Sequence, residues 1–96
     1  RARVNFIRPK DAYYISELDV HPNHRNCGAG GRLIAHAEAE ARDGRFARMA
    51  LTTTITNPAQ HLYMRCGFRI VDVRRDAAYE RITGIPGRVL MVRELA

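Results

Sequence analysis

The segment that most constrains this chain is Val20-His21-Pro22-Asn23-His24-Arg25-Asn26-Cys27-Gly28-Ala29-Gly30-Gly31-Arg32-Leu33. The run before it, Tyr13 to Val20, is rich in aromatic and branched side chains and reads as a strand. Pro22 then blocks further ladder pairing. Beyond the glycines, Leu33, Ile34, Ala37 and Ala41 recur at helical spacing, with Arg32, His36, Glu40 and Asp43 off that face. A strand therefore turns through a glycine loop directly into a helix. The first turn of a helix leaves about four N–H groups without partners and carries partial positive charge. Glycines let a bulky group approach the backbone, and Arg25 and Arg32 flank them, so the segment suits an anionic phosphate. Two phosphate loops are excluded by residue type. A Walker loop needs Gly-Lys-Ser/Thr, and a dinucleotide fingerprint needs a third glycine where Leu33 stands.

The remaining chain supplies the scaffold. Val4 to Ile7 reads as the end of a strand stopped by Arg8-Pro9, and Met49 to Thr54 as a threonine-rich strand. Gly44 is a stop for the first helix. Asn57-Pro58 opens a second helix whose Ala59, Leu62, Tyr63 and Cys66 share one face, and Gly67 ends it. Phe68 to Val73 is a further strand. Ala77 to Gly87 reads as a connection turning at Gly84-Ile85-Pro86-Gly87, and Val89 to Val92 as a buried strand. The order strand, strand, helix, strand, helix, strand, strand predicts an α/β (α+β) sheet with helices packed on it.

At 96 residues the chain allows a single domain, 1–96. It has no apolar run of the roughly 20 residues that a membrane span needs, and no apolar core of signal-peptide length at its start. No membrane partner is expected, and the localisation expected is cytoplasmic. Cys27 and Cys66 form neither a disulfide framework nor a metal-ligand pairing, which agrees with a reducing compartment. His21 and His24 lack further ligands, so no metal is expected. The net charge of +6 attracts anions. All but one of the basic residues are arginines scattered without a block, so nucleic acid is not the expected partner. The few aromatics form no stacking series either.

Arg25, Gly28 and Gly30 spell R-x-x-G-x-G behind Val20 and Pro22 as V-x-P. This resembles motif A of the GNAT family of N-acetyltransferases. Ala59-Gln60-His61-Leu62-Tyr63-Met64-Arg65-Cys66-Gly67-Phe68 resembles that family's A-x-x-LY-x-x-x-GF segment. The two motifs stand in the family's order with a strand between them, and on them the chain is identified as a member over roughly Tyr13 to Leu95.

The resemblance implies a mixed, mostly antiparallel sheet flanked by helices, with acetyl-CoA as cosubstrate and no metal. It implies that Leu18, Asp19 and Val20 follow the pantetheine arm, their main-chain N–H groups polarising the thioester carbonyl. It places Arg25, Asn26, Cys27, Gly28, Ala29, Gly30, Gly31 and Arg32 around the pyrophosphate. Cys27 departs from the basic or small polar residue that members often carry there. Tyr63 matches the general acid that protonates the departing thiolate, while also fitting the apolar face of its helix. Many members carry an asparagine seven residues before that tyrosine. Thr56 stands there, and Asn57, one residue later, either contacts the cofactor or caps the helix. Glu17, on the strand into the glycine loop, is the candidate general base, with a water chain to bulk solvent as the alternative.

The implied reaction is direct attack of a primary amine, on a small molecule or peptide, upon acetyl-CoA in a ternary complex. The alternative is a coenzyme A-binding regulatory module without turnover. In the family, an early strand and helices that wall the amine cleft precede the region matched here. The chain is therefore expected to be N-terminally truncated: a fragment of a longer protein, or a self-associating homo-oligomer such as a dimer.

Overall fold

The computed structural model describes residue 6 and residues 9–15 and 29–95, with side chains of the first helix described from Ile34 onward. The elements run β1 (Ala12–Ile15), α1 (Ala29–Asp43), β2 (Arg48–Thr54), α2 (Ala59–Arg65), β3 (Arg69–Arg75), α3 (Ala77–Thr83) and β4 (Gly87–Glu94). They build one sheet in the order β1-β2-β4-β3. β1 pairs with β2 in parallel, and β4 pairs antiparallel with both β2 and β3. A parallel pair cannot close through a hairpin, and the connection that contains α1 makes the crossover. This is the expected fold class, a mixed and mostly antiparallel sheet with helices on it. Apart from Phe6, the strand expected over Val4 to Ile7 lies outside the described residues, as does the continuation of β1 toward Val20.

The core divides along the two faces of the sheet. Ile34, Ala37 and Ala41 of α1 and Tyr63 of α2 pack with Met49, Leu51, Val89 and Met91 on one face. Two of the three α1 residues are alanines, so that helix can lie close to the strands. On the other face Ala50, Leu90 and Val92 pack with Phe6, Ala12 and Tyr14. β4 sits between β2 and β3 and is buried on both faces, which is why Val89 to Val92 is uninterruptedly apolar. Met49, Leu51 and Met91 are each at most 1% exposed. Burying a side chain of that size contributes about 1.5–3 kcal/mol.

Helix ends follow the glycine signals with one difference in mechanism. α2 closes in a Schellman motif: Phe68 N–H donates to Tyr63 O at 2.9 Å, Gly67 N–H to Met64 O at 3.1 Å, and Gly67 takes φ 95°. α1 closes in the same motif, but the left-handed position is Arg45, at φ 60°, one residue after Gly44. Gly44 is needed for room instead, since a Cβ there would stand 2.8 Å from Phe46 Cε2.

The connection read over Ala77 to Gly87 contains a helix, α3. Asp76 caps it, its Oδ1 accepting from Tyr79 N–H at 2.8 Å, and Gly84 ends it at φ 77°. No α3 side chain is buried, so it carries no apolar stripe for a periodicity search to find. Its end caps are the sequence signal that was there to read.

Candidate functional site

β1 and α1 bracket the glycine segment and are tied to each other and to the sheet by polar contacts. The Tyr13 hydroxyl donates to the Glu40 carboxylate, and its ring stands edge-on to Phe46 with centroids 5.5 Å apart. That hydrogen bond raises the phenol above its ordinary pKa, and the same bond, aided by His36, lowers Glu40. His36 Nε2 lies 3.0 Å from Glu40 Oε1. On the other side of the helix, Glu38 accepts from Arg42 Nε at 2.9 Å and pairs with Arg93 Nη1 of β4 at 2.8 Å. The Arg42 hydrogen bond chiefly holds Glu38 below the ordinary carboxylate range, with Arg93 adding to it. Arg42 Nη1 also donates to Leu95 O at 2.9 Å. The helix is thereby fixed against both β1 and the end of β4.

α1 begins at Ala29, so Ala29, Gly30, Gly31 and Arg32 supply the N–H groups of its first turn. That turn contains no acidic residue of its own to offset the helix's positive end. Glu17, Leu18, Asp19, Val20, Arg25, Asn26, Cys27 and Gly28 lie outside the described residues.

The second motif is described in full. β2 runs to Thr54, and Asn57 closes the corner into α2. Asn57 Nδ2 donates to Thr53 Oγ1 at 2.7 Å and its Oδ1 accepts from Ala59 N–H at 2.9 Å. One Nδ2 hydrogen remains beyond these contacts. Gln60 reinforces the corner, its Nε2 donating to Thr54 O at 2.9 Å and to Ile55 O at 2.7 Å. Gln60 occupies a variable position of the second motif, so the motif gave no reason to single it out. Two turns of chain are thus held onto the C-terminal end of β2 by side-chain amides.

Tyr63 follows on the inward face of α2 and is 1% exposed. Its ring meets Phe68 edge-on, centroids 6.4 Å apart. The side chain lies within the main core cluster beside the sheet. Cys66 is half-buried and forms no disulfide with another described residue. Among the described residues, no three His, Cys, Asp or Glu side chains converge as a metal site, and no helix is long and apolar enough to cross a membrane.

The comparisons with known proteins agree with this geometry. The profile described as "Acetyltransferase (GNAT) family" matches residues 2–68. Among solved structures, nourseothricin acetyltransferase superposes with a TM-score of 0.74 at 26% identity, over 90% of this chain and 51% of that one. A Bacillus anthracis protein solved in complex with acetyl coenzyme A gives a TM-score of 0.74 at 26% identity, over 90% of this chain and 50% of its own. The ribosomal-protein-S18-alanine N-acetyltransferase from Escherichia coli shares the fold, with a TM-score of 0.69 at 23% identity over 92% and 57%. This chain spans about half the length of the first two structures. No curated protein matches it.

Proposed function

The chain belongs to the acetyltransferase (GNAT) family, and from that premise we propose that it takes an acetyl group from acetyl-CoA and delivers it to a primary amine. The observation that carries this reading is the start of α1 at Ala29, within the glycine cluster, so that Gly30 and Gly31 lie in a first turn with no acid. Free N–H donors and partial positive charge at that point favour a pyrophosphate. Arg25 and Arg32 add charge attraction, and Leu18, Asp19 and Val20 supply main-chain donors to the thioester carbonyl.

In this reading the amine attacks the thioester carbon, the C–S bond breaks, and coenzyme A leaves as a thiolate. Tyr63 gives that thiolate its proton. A phenol of pKa about 10 is a workable donor because it is positioned beside the leaving group rather than free in solution. Glu17 accepts the amine's proton, directly or through water. Asn57 shapes the corner below the cofactor and offers its remaining Nδ2 hydrogen to it.

The alternative is a coenzyme A-binding module without turnover, which the same helix start would serve equally. Incubation with acetyl-CoA and a panel of primary amines, read by mass spectrometry of the products, separates the two. Acetylated product and free coenzyme A in equal amounts support the transferase. Binding of coenzyme A with no product from any amine supports the module.

A further inference from the structure

The sheet face opposite α1 and α2 ends in a row of basic groups that folding does not call for. Register places Thr54 of β2, Arg88 of β4 and Arg74 of β3 side by side, with Thr52, Leu90 and Asp72 in the next row. Residues directly opposite in a ladder share a face, so Arg88 and Arg74 rise from the same side of the sheet. Like charges so placed repel. Asp72 offsets one of them, its Oδ2 lying 2.9 Å from Arg74 Nε. Arg88 is half-buried, yet its Nη2 donates only to the Thr52 hydroxyl, at 3.3 Å. Among the described residues no carboxylate stands within ion-pair distance of it. A guanidinium carries five N–H donors in a planar fork that matches an oxyanion in bidentate fashion. One long bond to a hydroxyl leaves that capacity almost unused.

The position of the row connects it to the chemistry. Thr54 is the last residue of β2, just before the Asn57 corner, and β1 runs parallel to β2 in register. The row therefore lies at the end of the sheet toward which β1 and β2 run. It lies at the edge of the face where Ala50, Leu90 and Val92 are buried with Phe6, Ala12 and Tyr14. A molecule arriving at this end of the sheet would meet the two guanidiniums beside a covered apolar face.

We propose that Arg88 and Arg74 together hold an oxyanion carried by the acyl acceptor, so that the acceptor is an amine bearing a carboxylate. This rests on the transferase reading. An anion between the two guanidiniums removes their repulsion and uses the donors that Thr52 leaves over. The same chemistry would suit a phosphate of coenzyme A, and the test distinguishes the two sources.

The probes are 4-aminobutyrate and butylamine, which differ by the carboxylate alone. The 15N–1H signal of Arg88 Nε is followed in the free chain and in the chain saturated with coenzyme A. A saturable shift with 4-aminobutyrate and none with butylamine is expected. In Arg88→Gln, which keeps most of the stem, 4-aminobutyrate affinity read from backbone amides should fall by about tenfold. Coenzyme A affinity should stay unchanged, and a melting curve like the parent's would show that the variant folds. Absence of any shift with 4-aminobutyrate, or equal affinity in Arg88→Gln, would overturn the proposal. A shift of Arg88 by coenzyme A itself, with a matching loss of cofactor affinity in the variant, would overturn it by assigning the pair to the cofactor. Failure of coenzyme A to bind at all would contradict the transferase reading instead, while titration of the free chain would still decide the oxyanion site.

Discussion

Asn57 Nδ2 donates to Thr53 Oγ1 at 2.7 Å, so the end of β2 is bonded to the residue that opens α2. Thr53 is itself buried. The corner between the two halves of the site is therefore set by side chains as well as by the run of the backbone.

Replacing Asn57 with alanine removes both this bond and the cap on Ala59 N–H. The expected loss is about 1 kcal/mol of stability, the usual size for an N-terminal cap. Urea unfolding measures it. A variant as stable as the parent would mean that the corner holds without its amide.

Gly87 is the second structural point open to test. A Cβ there would run into the Arg74 carbonyl oxygen of the neighbouring strand. Gly87→Ala must push β3 and β4 apart, at a cost of about 1–3 kcal/mol, as for overpacked sites generally. Thermal unfolding should show the drop, and an unchanged melting temperature would mean that the strands are free to separate there.

Glu38 sets a pH dependence. Its carboxyl is held below its ordinary value of 4.5, first by the Arg42 hydrogen bond and then by Arg93. A lowered pKa in the folded state contributes stability that is complete above the ordinary value and lost as pH falls through the lowered one. Stability should therefore decline on acidification below about pH 4.5, and Glu38→Gln should decline less steeply over that window. Parallel acid-unfolding curves for the two proteins would remove Glu38 from the account.

Tyr63 is buried beside the sheet, and Tyr63→Phe keeps the ring and its edge contact with Phe68 while deleting the hydroxyl. As the proton donor it should cost about 10²-fold in kcat, with coenzyme A affinity nearly intact. Steady-state kinetics alongside calorimetry reads both. Equal rates in the two proteins would leave Tyr63 as a core aromatic.

Much of the fold was legible because burial writes itself into the sequence. Ile34, Ala37 and Ala41 announce α1 by spacing, and Val89 to Val92 announces a strand covered on both faces. Gly67 announces the end of α2 because only a residue tolerant of positive φ fits there cheaply. α3 was missed for the converse reason, since a helix held by Asp76 and Gly84 with no buried side chain leaves no periodic trace. Gly44 marks the end of α1, while the left-handed position one residue later at Arg45 and the room that the Phe46 ring takes are not readable from local spacing. The two site motifs were legible as runs of adjacent residues. The Arg88–Arg74 row was not, because it depends on register between strands distant in sequence, including the irregularity between Ile70 and Asp72.

We propose that coenzyme A is held by the first turn of α1 and the residues before it, and calorimetry of Gly30→Val against the parent is the decisive test. In the proposed mode of binding, branched bulk at Gly30 would stand where a phosphate approaches the backbone. Saturable binding to the parent, weakened at least about tenfold in the variant, is the predicted result, equivalent to about 1.4 kcal/mol. Binding of equal strength in both proteins, or no binding to either, would contradict it.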